Sequence, residues 1–188
     1  DLKQNENELP KYKGNLKSNN FDIGKFYGIE NVITKVTLDV DINGKGLENE
    51  TVNASVKGRV NNLICFNYSY NNMSIEGNFA KNIFSGKLEV NDENLALRYD
   101  GDIDFTNKLP MFYFHTDIGF ANLSKLNIIK SSYDRWISTN ADFNFEGDDI
   151  DNIKGSIVLN NLIYKDSLTT LKYKKVEFKL PTEAEWMK

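Results

Sequence analysis

Cysteine, histidine and proline are nearly missing from this chain. Among 188 residues there are one cysteine, Cys65, one histidine, His115, and three prolines. A single cysteine rules out a disulfide framework within the chain. Flanked by Ile64 and Phe66, Cys65 fits a buried thiol on a strand. One histidine, next to Phe114 and out of phase with it, makes no zinc site without thiolate or clear carboxylate partners. No Gly-x-Ser-x-Gly nucleophile signature occurs. Gly44-Lys45-Gly46 lacks the remaining glycine and the following helix of a phosphate loop. No apolar run approaches the roughly 20 residues of a membrane helix. Net charge is −4, so the basic patch that nucleic acid demands is missing too. Paired carboxylates are too plentiful to mark a catalytic pair, and sequon-like triplets such as Asn53-Ala54-Ser55 mean little in so Asn-rich a chain. The expectation is a protein without catalysis, cofactor or resident metal.

What the chain has in abundance is alternation. Val36, Leu38, Val40 and Ile42 alternate with Thr37, Asp39 and Asp41. Val52, Ala54, Val56, Gly58 and Val60 repeat the pattern, and Ile64, Phe66, Tyr68 and Tyr70 continue it. From Met73 to Phe105 three strands follow one another, with Ile75, Gly77 and Phe79, then Phe84, Gly86, Leu88 and Val90, then Leu95, Leu97, Tyr99, Gly101, Ile103 and Phe105 on one side. Phe112, Phe114, Thr116, Ile118 and Phe120 come next, then Ala141, Phe143 and Phe145, then Ile153, Gly155, Ile157 and Leu159. Period-two patterning of this kind marks strands with one buried face. A dozen or so strands are expected, with one or two short helical turns. One such turn is placed at Asn20 to Gly28, capped by Asn20 or Asp22. Another is placed where Leu123, Leu126 and Ile129 recur every three residues. The chain divides into a polar lead at 1–11, a β domain at 12–180 and a tail at 181–188.

Glycine two positions before a large apolar residue recurs at Gly14, Gly77, Gly86, Gly101 and Gly155. These glycines share the apolar phase, and each removes a side chain from the buried face. Asn43-Gly44 carries the composition of a type I′ hairpin turn. With Asp39, Asp41, Asn43 and Glu50 it also satisfies the EF-hand loop pattern. Strand alternation around it and Gly46 at the eighth position argue against calcium. Asp148, Asp149 and Asp151 form a second acidic cluster, expected as a solvated turn.

The order of several short pieces resembles the TamB family (translocation and assembly module) in its Bacteroidota form. The pieces are NFDIGK at 20–25, DINGKGL at 41–47, VKGRV at 56–60, YSYNNMSIEG at 68–77, FSGKL at 84–88, NDENL at 91–95, YDGDIDF at 99–105 and FEGDDIDNIKG at 145–155. The resemblance covers 12 to about 164 and implies an elongated, curled, antiparallel-rich sheet forming a taco-like groove with an apolar interior. It implies a segment of a periplasm-spanning conduit that carries phospholipid toward the outer membrane or assists outer-membrane protein assembly. The partner would be an outer-membrane barrel of the TamA type, and the inner-membrane anchor would lie outside this segment. The expected lining is Val36, Leu38, Val40, Val56, Val60, Phe66, Phe79, Leu88, Val90, Leu97, Tyr99, Ile103, Phe112, Phe114, Ile118, Phe143, Phe145, Ile157 and Leu159. The rival reading of the same alternation is a secreted all-β sandwich, a binding module or adhesin using aromatics such as Tyr12, Tyr70, Trp136 and Tyr173.

Overall fold

The computed structural model describes residues 8–22, 25, 33–48, 50–147 and 154–180. Alternating apolar residues with β-branched and aromatic neighbours favour a pleated strand, because each strand then has one face to bury. Ten strands form: β1 (Lys11–Asp22), β2 (Ile33–Lys45), β3 (Asn53–Cys65), β4 (Tyr68–Ala80), β5 (Ile83–Asp92), β6 (Leu95–Asp104), β7 (Met111–Asn122), β8 (Trp136–Glu146), β9 (Lys154–Lys165) and β10 (Thr170–Leu180). They make one antiparallel sheet in sequence order. Among the described residues each strand packs closely against its sequence neighbours, and no second layer of strands faces the sheet. The sheet is curled and does not close into a barrel. The two-layer sandwich is therefore not the architecture. The four aromatics named for it stand on β1, β4, β8 and β10, spread across the sheet.

Tight turns follow from asparagine. Phe66 and Asn67, and again Lys81 and Asn82, both have positive φ, the conformation of two-residue type I′ hairpins. Phe66 thus leaves the expected lining: it is a turn residue, 52% exposed. Asn43-Gly44 is not a turn. β2 runs through it, and Gly44 pairs with Tyr12 on one side and Ala54 on the other. A Cβ at Gly44 would lie 2.7 Å from the Tyr12 ring, so the glycine makes room for an aromatic neighbour. The chain reverses later, at Gly46 with φ 75, whose N–H donates to Pro10 O at 2.9 Å. An EF-hand loop has no place in a continuous strand. Asp39 and Asp41 instead accept from Asn15 Nδ2 at 2.7 and 3.1 Å on the polar face.

The turn expected at Asn20 to Gly28 is only partly within the described residues. Asn20, Phe21 and Asp22 extend β1, and Lys25 N–H donates to Asp22 Oδ1 at 2.9 Å, so Asp22 takes the capping role. The 123–129 turn is present as a single turn, with Leu126 N–H donating to Asn122 O at 3.0 Å. The acidic cluster at Asp148, Asp149 and Asp151 lies outside the described residues.

One feature of the sheet is a crease. Register shifts occur at Ser18/Phe21, Ile33/Val36 and Thr37/Leu38, then at Ala96/Leu97, Ile118/Ala121 and Ser138/Asn140. All lie beside the cross-strand row that contains Leu38, Leu97, Ile118 and Thr139. An extra residue in one strand bends it and raises its twist. Asn20, Asn72 and Asn161 stand inside strands near this line with φ of 52, 52 and 53. Asparagine tolerates that left-handed conformation better than most residues. Most of the buried side chains lie on or beside the same line: Val36, Val40, Met73, Val90, Thr116, Ala121, Thr139 and Ala141, while Leu126, Asn122 and Asp92 are buried at one rim. In a single-layer sheet such burial arises where the two halves of each strand fold toward each other, so the apolar face is the inner one.

Candidate functional site: the apolar trough

Residues directly opposite in an antiparallel ladder share a face, so the register lines up the inner surface row by row. One row runs Leu16, Val40, Gly58, Ile75, Leu88, Tyr99, Thr116, Ala141, Leu159 and Val176, across all ten strands. Beside it run Ser18, Leu38, Val60, Met73, Val90, Leu97, Ile118 and Thr139. On the other side run Ile42, Val56, Gly77, Gly86, Gly101, Phe114, Phe143 and Ile157. A fourth row, nearer the rim, holds Ala54, Phe79, Phe84, Ile103, Phe112 and Phe145. Every residue of the expected lining except Phe66 falls on this face, with Val36 just across the crease. Ten strands at about 4.8 Å spacing give a trough roughly 45 Å long.

Three consecutive glycines, Gly77, Gly86 and Gly101, form a gap in the third row. The Phe84 ring lies over two of them: its Cζ is 2.6 Å from where a Gly77 Cβ would stand and 2.7 Å from that of Gly86. Beyond the gap the row turns aromatic. Phe114 stacks on Phe143 at 4.4 Å, and Phe112 stacks on Phe145 in the rim row at 4.7 Å. The floor is therefore shallow over β4–β6 and thick with rings over β7 and β8. Two hydroxyls interrupt it. Tyr99 Oη and Thr116 Oγ1 are buried neighbours in one row, and neither has a hydrogen-bond partner.

One rim is capped. The loop 123–135 between β7 and β8 runs back along the sheet, and Asn127 Nδ2 donates to Phe66 O in the β3–β4 turn at 3.2 Å. Asn122 N–H donates to Asn94 O in the β5–β6 turn at 2.9 Å on the way. Leu126, at 0% exposure, is the anchor of this loop. The same rim holds a buried carboxylate, Asp92. It accepts from the Tyr68 hydroxyl, from Asn94 N–H at 2.9 Å and from Asn71 N–H at 3.0 Å. Burial, then the bond to Asp92, pushes the Tyr68 phenol up to about 12. Burial above all takes Tyr70 to about 12 as well. Both phenols stay neutral in water near neutrality. Half-buried Cys65 is pushed up by burial, as befits an inert thiol.

The opposite face is charged, and its rows alternate in sign. Asp41, Lys57, Glu76, Lys87, Asp100, His115 and Asp142 face one another in sequence across β2–β8. Lys57 pairs with Glu76 at 2.8 Å, Lys87 with Asp100 at 3.2 Å and Arg98 with Asp117 at 3.4 Å. His115 Nδ1 lies 2.7 Å from Asp142, and this contact holds its imidazole above the usual range against the opposing effect of burial. A hollow of about 720 Å³ lies among these side chains. Its charges cancel in pairs, so it selects no ligand by charge. Among the described residues no cluster of three metal-ligating side chains occurs.

The expected lining left out Met73, Ile75, Phe84, Thr116 and Thr139, although the alternation had put Ile75, Phe84 and Thr116 on the apolar side, and it did not anticipate the buried loop residue Leu126. Met73, Ile75 and Phe84 carry the alternation and were legible. Thr116 and Thr139 are polar letters in an apolar phase, and Leu126 sits in a loop. Comparison with protein-family models, curated proteins and solved structures finds no match. The class defined by the fold is a single-layer, curled antiparallel sheet, apolar within and charge-compensated without.

Proposed function

We propose that this chain is a segment of a lipid-transfer conduit, in which the trough receives phospholipid acyl chains and passes them along the sheet. The observation that carries this reading is a predominantly apolar face that crosses all ten strands, with no second layer over it among the described residues. In an ordinary domain such a face is closed by another sheet or by helices. Here the lining side chains are buried or half-buried within the curl of the single layer, the narrow apolar surface that a fatty chain could enter without leaving a wide patch open to water. Each methylene that leaves water contributes about 0.8 kcal/mol, enough to hold a fatty chain without a headgroup site. No helix among the described residues is long and apolar enough to cross a membrane. The TamB resemblance adds the setting: the periplasm, an inner-membrane anchor elsewhere in the protein, and an outer-membrane barrel of the TamA type as partner.

Photoactivatable phosphatidylcholine, with the diazirine in the acyl chain, tests the reading directly. After irradiation with the purified chain, labelled peptides are mapped by mass spectrometry. Label is expected on inner residues such as Leu97 and Phe114. Absence of label, or label confined to the charged face, overturns the proposal.

A further inference from the structure

The inner face runs off both ends of the sheet. Among the described residues no strand pairs with the outer side of β1 or β10. Leu16 on β1 is 50% exposed and Phe178 on β10 is 48% exposed, whereas Val40 and Ala141 inside the sheet are 4% and 0% exposed. A further antiparallel strand on either edge would extend the hydrogen-bonded ladder and cover these side chains.

Charge on the other face decides which strand fits. Continuing the Leu16 row from β10 of one copy to β1 of another would place Val176 opposite Leu16. That register sets Lys179 against Lys13 and Lys175 against Lys17. Like charges directly opposed across two strands are destabilising. In that register the two edges oppose like charge, although their apolar rows match. The β1 lysines are partly satisfied from within, since Lys17 pairs with Asp39 at 2.9 Å. On β10, Lys175 and Lys179 face only Asn160 and Ser156 of β9, and the single carboxylate nearby is Glu177 on the same strand, 3.2 Å from Lys175.

We propose that the β10 edge docks an extended acidic segment. Its apolar residues would alternate with Asp or Glu, which would face Lys175 and Lys179 and carry on the alternation of sign seen across β2–β8. The inference is independent of what the trough carries.

Fluorescein-labelled strand peptides of alternating Val and Glu, or Val and Lys, are the probes, titrated against the whole chain by anisotropy at low salt. The Glu peptide is expected to bind at least about tenfold more tightly, from two to three opposed charge contacts. Lys175→Glu combined with Lys179→Glu should invert the preference, and Lys13→Glu combined with Lys17→Glu should leave it unchanged. If far-UV circular dichroism shows the first variant unfolded, Lys179→Gln alone should cut the preference by about threefold. Equal binding of both peptides, no binding of the Glu peptide, or a preference that follows the β1 lysines overturns the proposal. So does end-to-end association of the wild-type chain in sedimentation.

Discussion

At the scale of single residues, two positions separate packing from chemistry. A Cβ at Gly101 would stand 2.3 Å from Tyr113 O and 2.4 Å from Phe114 Cβ, where backbone has to move. At Gly14 nothing lies within 4 Å. Gly101→Ala should therefore lower stability by about 1–3 kcal/mol. Gly14→Ala should be neutral or gain up to about 1 kcal/mol, by restricting the unfolded chain. Urea denaturation of the pair checks this, and equal effects would mean that the glycine gap is not close-packed. His115 carries a pH effect of known sign. Its folded pKa is raised, chiefly by Asp142, so its contribution is full below the unfolded value near 6.5 and fades as pH rises through the folded value. With side chains 46% and 57% exposed, the pair is worth under about 1 kcal/mol. Between about pH 6 and 8, the melting temperature should fall more for the wild type than for His115→Asn. Parallel profiles would show that the contact contributes nothing.

At the scale of elements, the 123–135 loop is the longest connection among the described residues, and Leu126 anchors it. Leu126 has no exposed surface, while Ile128 two residues on is 56% exposed. Leu126→Ala should cost about 2–5 kcal/mol and speed amide exchange in the loop and in the β3–β4 turn it reaches. Ile128→Ala should change neither. A loss confined to the loop, with the turn unaffected, would show that the Asn127 bridge to Phe66 does not couple the two. The strands themselves were legible, because alternation has only one reading over eight or more residues. The turns were less so. Asn43-Gly44 has turn composition, yet Ile42 and Gly44 keep the inner phase and Tyr12 fills the space over the glycine. Phe66 has strand composition, yet it sits in a two-residue reversal. In both places packing across strands overrode local preference.

At the scale of the molecule, the decisive feature is that no second layer covers the sheet among the described residues. Buried-face periodicity is identical in a sandwich and in a trough, so the sequence pattern left both open. The ladder order, β1 through β10 without a crossover, leaves the inner face to curl on itself. Leu97 lies in the row of the crease, half-buried, where a carboxylate would stand in the path proposed for the acyl chain. In the photolabelling assay Leu97→Asp should abolish most labelling of Phe114 while leaving the far-UV spectrum intact. Labelling that persists at wild-type level would mean that the lipid does not travel through the trough.

The sequence by itself determined the strands, the apolar phase and all but one of the residues assigned to that face, because a period of two depends only on which letters alternate. It also contained the charges of the outer face, though not their partners. The tertiary structure alone decided the crease, the capped rim and the sign-alternating rows. These depend on register, and register is fixed by bulges and turns whose φ values are set by neighbours far along the chain. The same holds for the two edge strands: their lysines are visible in sequence, but only the strand order places β1 and β10 at the two sides of the described sheet.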